Sequence, residues 1–233
     1  MVKFISIIIA RGGSKGIPNK NIMDFCGKPL IAWTIDACLK GGVTSVWVSS
    51  DSEQILKISK VYGANVIKRP KEFAKDTSSS EDAWNHAIDY LKIKMKITPD
   101  WVVAPQVTSP LTEAKDISSA ILKANYQNFD SYFSCCKVSD MLIWETDKSE
   151  KLSSLNYNWK DRKRRQDSNK QYIENGAFYL FKPEVLKEKN NRFGNNIGFV
   201  EMDSWKIFEI DEYDDIKICK ILMQYMIIKN QFI

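Results

Sequence analysis

Apolar runs alternate with amphipathic stretches along most of the chain, and each pattern predicts a type of element. Phe4 to Ala10 is almost wholly apolar and rich in β-branched residues, which is typical of a strand covered on both faces of a parallel sheet. Apolar residues then recur at helical spacing from Pro29 to Cys38, and the Gly41-Gly42 pair ends that helix. Val46 to Val48 is a second buried strand, so the chain opens with a βαβ unit.

The same alternation continues to residue 136, which predicts an α/β fold with a mostly parallel sheet. The predicted helices run from about Ser52 to Gly63, Ser80 to Lys92 and Glu113 to Asn125, and the predicted strands are Asn65 to Ile67, Trp101 to Ala104 and Ser131 to Cys136. Further along, we expect a strand from Gly176 to Phe181. A closing helix from about Tyr213 carries Ile216, Cys219, Leu222, Met223, Met226 and Ile227 on one side.

Residues 138–172 interrupt this rhythm, because they are polar, charged and aromatic without a regular period. A long irregular insert in a compact domain is usually a lid, an arm or an oligomer contact. Trp144, Tyr157 and Trp159 lie in this insert, and aromatic residues are enriched at interface cores, so we expect a homodimer contact there. The prediction is one domain over residues 1–233 with an inserted lid or dimerisation segment at 138–172.

Composition and charge narrow the class of protein. A chain of 233 residues with 44% hydrophobic and 27% charged residues can bury a core without a disulfide or a structural metal, which excludes a disordered chain or a small disulfide scaffold. A formal net charge of +5 is too small and too dispersed to indicate nucleic acid. No run approaches the ~18 apolar residues that a membrane span requires. Five cysteines without metal-ligand spacing predict reduced thiols and a cytoplasmic location.

A glycine-rich basic segment, Ala10 to Asn21, follows the first predicted strand directly. Its glycines let backbone N–H groups approach an anion, and Arg11, Lys15 and Lys20 add positive charge at the carboxyl end of a strand, where open α/β sheets bind ligands. The segment predicts a phosphate-binding loop. It has neither the Walker A pattern nor the dinucleotide-binding glycine spacing. From composition alone, a basic surface turn fits equally well.

Two acidic residues, Glu209 and Asp211, stand at alternate positions of the segment Ile207 to Asp211. In a strand both carboxylates would point the same way while Ile210 points into the core, and two hard oxygen ligands on one face suit Mg²⁺. Ordinary solvated acids at a strand end are the alternative. His86, the single histidine, lies in a helical pattern and is expected to be structural, so a proton would be taken by a metal-bound hydroxide, a carboxylate or solvent.

Seven short motifs occur in a fixed order along the chain. They are Ala10-Arg11-Gly12-Gly13-Ser14-Lys15-Gly16-Ile17-Pro18-Asn19-Lys20-Asn21, Ser49-Ser50-Asp51, Arg69-Pro70, Asp76-Thr77-Ser78-Ser79-Ser80, Gln106-Val107-Thr108-Ser109-Pro110-Leu111, Asn175-Gly176-Ala177-Phe178-Tyr179 and Glu209-Ile210-Asp211. In sequence and order they resemble the motifs of the CMP-sialic acid synthetases, also called acylneuraminate cytidylyltransferases. The resemblance covers nearly the whole chain and implies a three-layer α/β/α nucleotidyltransferase fold.

The resemblance implies a reaction and a set of site residues. CMP would be transferred from CTP to the anomeric hydroxyl of a nine-carbon 2-keto-3-deoxy sugar acid, with Mg²⁺ as cofactor and pyrophosphate as product. A homodimer formed through the insert is implied as well. The catalytic residues would be Arg11, Lys15, Lys20 and Asp211; the substrate-binding residues Gly12, Gly13, Ser14, Asn21, Arg69, Ser80, Gln106, Arg165 and Asn175; and the metal ligands Asp211 and Glu209.

Two positions depart from the family pattern, and three other functions compete with this one. Glu209 stands where the family usually has Asp, and Thr112 stands where many members have Arg. CMP-Kdo synthetases carry Gln-Gly-Asp-Glu-Pro in place of the Gln-Val-Thr-Ser-Pro that begins at Gln106, which disfavours an eight-carbon sugar. A related glycosyltransferase is disfavoured by the triphosphate-type loop. A non-catalytic nucleotide sensor would bind CTP without releasing pyrophosphate. The sequence does not identify which nine-carbon acid is used.

Overall fold

The fold is described here from a computed structural model that covers residues 2–14, 16–139, 141–167 and 169–231. The strands are β1 (Phe4–Ile9), β2 (Asp24–Phe25), β3 (Lys28–Pro29), β4 (Ser45–Ser50), β5 (Asn65–Lys68), β6 (Trp101–Pro105), β7 (Ser131–Val138), β8 (Trp144–Thr146), β9 (Leu152–Ser154), β10 (Gln171–Phe181) and β11 (Ile197–Met202). The helices are α1 (Leu30–Lys40), α2 (Glu53–Val61), α3 (Ser80–Tyr90), α4 (Ala114–Tyr126), α5 (Pro183–Lys189) and α6 (Tyr213–Gln231).

Seven strands form the central sheet, in the order β11-β7-β10-β6-β1-β4-β5. Strand β1 runs parallel to β4 and β6, β4 runs parallel to β5, and β7 runs parallel to β11. Strand β10 is antiparallel to both of its neighbours. Because Phe178 pairs with Pro105 at the end of β6, the first half of β10 extends past the carboxyl edge of that strand. Residues of β10 therefore join the loops that follow β1, β4, β5 and β6.

Two hydrophobic layers cover the sheet, as the apolar strand runs require. Phe4 and Ile8 of β1 face a cluster that includes α1, α2, α4 and α6, while Ile5 and Ile7 face a second cluster with α3 and α5. Burial of both faces explains why these strands are apolar throughout. The predicted three-layer α/β/α fold with a mostly parallel sheet is confirmed.

Short polar caps fix the helix starts near the carboxyl edge of the sheet. The Ser52 side chain accepts a hydrogen bond from the Ile55 N–H and caps α2. Ser79 and Asp82 form a reciprocal capping box at the start of α3, with distances of 3.0 and 3.3 Å. Each cap satisfies backbone N–H groups that would otherwise lack partners. Both helices therefore begin at defined positions beside the loops of this edge.

Six details differ from the predicted elements. The hairpin β2–β3, the strand β11 and the helix α5 were not predicted. Strand β10 begins at Gln171, so it takes in the end of the predicted insert, and the insert itself contains the hairpin β8–β9. The predicted strand from Ile207 to Asp211 is wrong: a 3₁₀ turn, Ser204–Ile207, precedes an irregular extended stretch. Ile210 is nevertheless fully buried, as expected, and its N–H donates to the Thr108 carbonyl at 2.7 Å.

All five cysteines carry free thiols. Burial raises the pKa of Cys38 and of Cys135 to about 12. These thiols are packing groups that stay protonated at neutral pH. Within the described residues, no helix has the length and apolarity to cross a bilayer.

Candidate active site

The glycine-rich loop after β1 is fixed by three polar contacts. The Ala10 N–H donates to the Ser49 carbonyl at 3.0 Å, and the Gly12 N–H donates to a carboxylate oxygen of Asp51 at 2.9 Å. The Asn21 amide donates to the Arg11 carbonyl at 3.0 Å, which ties the two ends of the loop together. Asn21 itself is buried. The loop is therefore held at the carboxyl ends of β1 and β4, where open α/β sheets bind ligands.

Two of the loop glycines are required by close approach to other parts of the chain. A Cβ on Gly16 would lie 2.8 Å from the backbone oxygen of Asp211, and one on Gly12 would lie 3.0 Å from the Ser52 Cβ. Gly13 would meet nothing within 4 Å. The approach at Gly16 brings the loop against the acidic segment predicted to bind metal, although the two are almost two hundred residues apart in sequence.

The described cations of the loop carry carboxylate partners. An Arg11 guanidinium nitrogen donates to Asp76 at 2.7 Å. The Lys20 ammonium donates to the Ile210 carbonyl at 2.8 Å and to Asp211 at 3.0 Å. Lys15, the third predicted cation, lies outside the described residues. The loop thus supplies two positioned cations, and each can exchange a carboxylate for phosphate oxygens.

A cleft of about 460 Å³ opens between this loop, α3 and the ends of β5 and β6. Of the predicted residues, the structure brings together at this cleft Arg11, Ser14, Lys20, Asn21, Arg69, Ser80, Gln106 and Asp211. Lining residues that the sequence reading gave no role are Ile9, Gly16, Phe73, Ala74, Lys75, Asp76, Ser78, Ser79, Ala83 and Thr108. Among described residues, Gly12, Gly13, Asn175 and Glu209 are predicted site residues that do not line it.

Arg69 is a buried cation in the cleft wall. Only 4% of the residue is exposed, and its backbone N–H donates to the Ser50 carbonyl at 2.8 Å. Its Nε is buried and has no hydrogen-bond partner among the described residues. Burial lowers the pKa of Arg69, Asp51 opposes that shift and Arg11 adds to it. A buried guanidinium nitrogen without a partner is a donor that a ligand can satisfy.

Glu209 sits behind the cleft. The Thr108 hydroxyl donates to one Glu209 carboxylate oxygen at 3.2 Å. Gly176 has a φ of 62°, and a Cβ on it would lie 1.9 Å from the other oxygen, so only glycine fits against this carboxylate. Burial raises the pKa of Glu209 despite the hydrogen bond from Thr108, and the charge of Asp211 raises it further. The two carboxylates are therefore close enough to interact, with Asp211 the more exposed.

Asn175 is placed in the interior. Its amide donates to the Lys206 carbonyl at 2.9 Å, and only 2% of the residue is exposed. The Lys206 ammonium is also buried, between Glu113 at 2.6 Å and Asp116 at 2.5 Å. This network joins the start of α4 to the segment that leads to Glu209. No period or motif in the sequence marks Lys206.

Thr112 and Arg165 are two further positions that the sequence analysis singled out. Thr112, which replaces the usual Arg, is buried, and its hydroxyl donates to the Ser109 carbonyl at 3.0 Å within a turn. Arg165 lies in a 3₁₀ turn, Arg165–Asp167, and its side chain is outside what the structure describes. Asp76 and Thr108 were missed as contact residues, although both stand inside motifs that the sequence displays.

Asp211 and Glu209 are the metal ligands predicted from the sequence, and the donor groups around them decide whether Mg²⁺ fits. Among described residues, no group of three or more His, Cys, Asp or Glu side chains is arranged to hold a metal. Asp211, with 69% of its side chain exposed, lines the cleft beside Lys20, and Glu209 interacts with it from behind. Mg²⁺ usually takes one or two carboxylates and fills its other positions with phosphate oxygens and water. This pair fits that requirement and does not resemble a site built from protein ligands alone.

The insert carries a second, larger groove. The groove has a volume of about 850 Å³ and lies between the end of β7, the start of β10 and residues within 156–167 and 169–170, with Arg162, Lys163 and Lys170 among the lining residues. None of the predicted site residues with a described side chain lines this groove. Nearby, the Trp144 ring contacts Tyr157 and Trp159, with centroids 5.8 and 6.2 Å apart. Trp144 and Trp159 are 42% and 54% exposed, so this aromatic cluster is accessible on the single chain.

Comparison with known proteins identifies relatives. The chain is 34% identical over 208 residues to N-acylneuraminate cytidylyltransferase B of Danio rerio, which covers 88% of this chain and 48% of that protein. It is 33% identical over 234 residues to pseudaminic acid cytidylyltransferase of Campylobacter jejuni subsp. jejuni serotype O:23/36 (strain 81-176), covering 95% and 96% of the two chains. This chain thus spans about half the length of the first relative and almost all of the second.

Solved structures share the fold. CMP:2-keto-3-deoxy-manno-octonic acid synthetase complexed with CTP aligns with a TM-score of 0.71 and 16% identity, covering 96% of this chain and 99% of that one. A 4-diphosphocytidyl-2C-methyl-D-erythritol synthase aligns with a TM-score of 0.69 and 10% identity. At these identities the likeness concerns the fold. The sequence itself matches the family model described as cytidylyltransferase over residues 5–231, so this chain belongs to the cytidylyltransferase family.

Proposed function

We propose that this chain transfers CMP from CTP to the anomeric hydroxyl of a nine-carbon 2-keto-3-deoxy sugar acid and releases pyrophosphate. The observation that carries the proposal is the convergence of Arg11, Lys20 and Asp211 on one cleft at the carboxyl edge of the sheet. Two relatives named as N-acylneuraminate and pseudaminic acid cytidylyltransferases support the same substrate class. An eight-carbon acid is the second candidate substrate. The motif from Gln106 to Pro110 disfavours it, because it differs from the motif of the CMP-Kdo synthetases.

The chemistry asks the protein to stabilise a leaving pyrophosphate. The anomeric oxygen forms a bond to the α-phosphorus, and the bond from that phosphorus to the oxygen bridging to the β-phosphate breaks. Negative charge grows on the departing pyrophosphate, so fixed cations stabilise the transition state more than the bound substrate. Arg11 and Lys20 are suited to this role, because each is already held by a hydrogen bond at the cleft.

Triphosphate binding would rearrange the ion pairs of the loop. Phosphate oxygens would replace Asp76 on the Arg11 guanidinium, where bidentate hydrogen bonding is favourable. Lys20 keeps its bond to the Ile210 carbonyl, which positions the ammonium while it is shared between Asp211 and the nucleotide. Loop and acidic segment would then act on the same phosphates.

Asp211, with Glu209 behind it, would hold Mg²⁺ against the phosphates. When bound, Mg²⁺ neutralises charge on the triphosphate and helps to orient it. The half-buried Glu209, held by Thr108, supports the position of the segment and adds negative charge beside Asp211. His86 is not among the described residues that line the cleft, so the proton of the sugar hydroxyl would pass to a carboxylate or to water.

The assembly proposed is a cytoplasmic homodimer formed through the insert at 138–172. The exposed contact of Trp144 with Tyr157 and Trp159 supports it, because exposed aromatic clusters are typical of interface cores. Light scattering at assay concentration is expected to give twice the monomer mass of 26.9 kDa. A monomer mass would reject the dimer.

The test of the activity is incubation with CTP, Mg²⁺ and a panel of eight- and nine-carbon keto acids, scored for pyrophosphate and for the CMP-sugar. Arg11→Ala and Lys20→Ala are expected to lower turnover on the order of 10²-fold or more, since each removes a charged contact to the transferring phosphates. Lys217→Ala, which removes an exposed lysine paired with Asp214 on α6, is the control for loss of a charge. Near-normal rates for both loop variants at saturating CTP would refute this site.

A further inference from the structure

The candidate cleft contains one aromatic side chain among its described lining residues, Phe73. Phe73 ends the 3₁₀ turn Lys71–Phe73, and its N–H donates to the Pro70 carbonyl at 3.1 Å. The Ser78 hydroxyl donates to the Glu72 carbonyl at 2.9 Å and ties this turn to the residues that precede α3. The ring is therefore mounted on a short pinned turn, at a cleft whose other lining residues are mostly polar or charged.

A second ring lies against Phe73. This second ring is the imidazole of His86 on α3. The centroids of the Phe73 and His86 rings are 5.4 Å apart, and the angle between their planes is 35°. The Nδ1 of His86 is buried and has no hydrogen-bond partner among the described residues. Among the described residues, the imidazole is therefore in contact with the Phe73 ring while its Nδ1 makes no hydrogen bond. A buried nitrogen without a partner is costly, so the position calls for an explanation.

The electrostatic surroundings favour the neutral form of this imidazole. Burial lowers the pKa of His86, and the neighbouring Arg69 lowers it further, while Asp89 and Glu72 oppose the shift. A neutral imidazole presents a flat aromatic face without adding a second cation beside Arg69. The Phe73 ring and the buried Arg69 guanidinium therefore lie in one wall of the cleft, with an apolar face next to an unsatisfied donor, and the His86 ring packs against Phe73 without lining the cleft.

We propose that Phe73 is the face on which the pyrimidine base of the nucleotide stacks, and that His86 is a positioning residue that holds the Phe73 ring against the cleft. This inference rests on the proposed function, because it assigns the base-binding end of that same cleft. Stacking of a base on an aromatic side chain is favourable for any base and needs only an exposed ring face. Phosphate binding by Arg11 and Lys20 does not depend on it.

The experiment measures binding of CTP and of inorganic pyrophosphate to the full chain by calorimetry. Phe73→Ala is expected to weaken CTP binding by about 10-fold or more, because stacking contributes on the order of 1–3 kcal/mol per base. Pyrophosphate binding is expected to stay within about 2-fold of wild type. Phe73→Leu keeps an apolar side chain and is expected to fall between the two. Tyr126→Ala, at an exposed aromatic of α4 outside the cleft, is the control.

His86 has its own readout. His86→Ala is expected to raise the KM for CTP by about 5-fold with kcat little changed, and His86→Phe is expected to restore the wild-type KM because it replaces one flat ring by another. A merely structural role for His86 would lower kcat and thermal stability without separating CTP from pyrophosphate. Circular dichroism of each variant confirms that it is folded before binding is compared.

The outcomes separate this inference from the proposed function. If wild type binds CTP and releases pyrophosphate, but Phe73→Ala and Phe73→Leu bind CTP as wild type does, the base does not stack on Phe73 while the proposed function stands. Equal weakening of CTP and pyrophosphate would also overturn the inference. If wild type binds neither ligand, the proposed function fails, and the stacking site fails with it.

Discussion

Replacing Gly16 by alanine tests the contact between the phosphate loop and the acidic segment. The added Cβ would lie 2.8 Å from the Asp211 backbone oxygen, and ordinary contact begins at 3.4 Å. A backbone atom cannot swing aside as a side chain can, so loop and segment must separate by about 0.6 Å. The Lys20 ammonium bridges the same two parts through Ile210 and Asp211, and it would lose one or both of these bonds.

The expected magnitudes follow from that displacement. Misplacing catalytic groups by about 1 Å can cost roughly 10²-fold, so we expect turnover to fall by about 10-fold or more. Overpacking costs about 1–3 kcal/mol in a core and less in a loop, so about 1 kcal/mol of unfolding free energy is expected here. For a chain of this size that corresponds to a fall in Tm of about 2–4 °C. The activity loss therefore exceeds what unfolding explains at assay temperature.

The assay combines pyrophosphate release at saturating CTP with a Mg²⁺ titration and a thermal melt. Gly13→Ala is the matched control for stability, because its Cβ would meet nothing within 4 Å, and we expect its Tm to equal that of wild type. Wild-type turnover and wild-type Tm in Gly16→Ala would show that the two parts are not held together as described. The reasoning from the Gly16 contact would then be refuted.

Three further predictions follow from the buried and charged groups. Asp211→Asn keeps size and hydrogen bonding but removes the charge suited to Mg²⁺, so turnover should nearly vanish with the melt unchanged; a retained rate and Mg²⁺ dependence would exclude Asp211 as a ligand. Lys206→Met leaves the buried Asp116 without its cation, whereas Glu113 keeps Lys115, so urea unfolding should show a loss of about 3–5 kcal/mol. The lowered pKa of His86 means that the unfolded chain binds its proton first as pH falls below ~6.5, so wild-type stability should fall there. Unfolding of His86→Phe at pH 5.5 and 7.5 should lack that part of the loss, and an equal loss in both proteins would contradict it.

The sheet and the position of the glycine-rich loop after β1 were predictable because their signals are local. The apolar run of β1 and the helical spacing of α1 need no knowledge of partners, and glycines beside cations at a strand end indicate an anion site. The predicted start of α2 near Ser52 is confirmed, since a side-chain cap is a short-range contact. Features that depend only on residues close together in the sequence could therefore be predicted.

Features that depend on distant partners were not predictable. Glu209 and Asp211 follow the alternation of a strand, but no strand in the described part of the chain pairs with them, so the segment is extended without belonging to the sheet. Asn175 stands in a family motif, yet its amide is used by the Lys206 carbonyl, 31 residues along the chain. Strand β11 was not predicted, and it is a strand because it pairs in parallel with the distant strand β7. Each of these features depends on a long-range contact that spacing alone does not encode.

The ion pair of Lys20 with Asp211 has a consequence for the order in which the protein is made. The two residues are 191 positions apart, and at roughly 5–20 residues per second the ribosome adds Asp211 about 10–40 s after Lys20. During that interval β1, β4 and β5 can pair, but the loop lacks the segment that fixes its ammonium. Closing so long a loop is slow, and the contacts that stabilise the closed loop can form only at the end of synthesis. A nascent chain released after Met202 but before Glu209 would therefore have the strands of the central sheet and no working site.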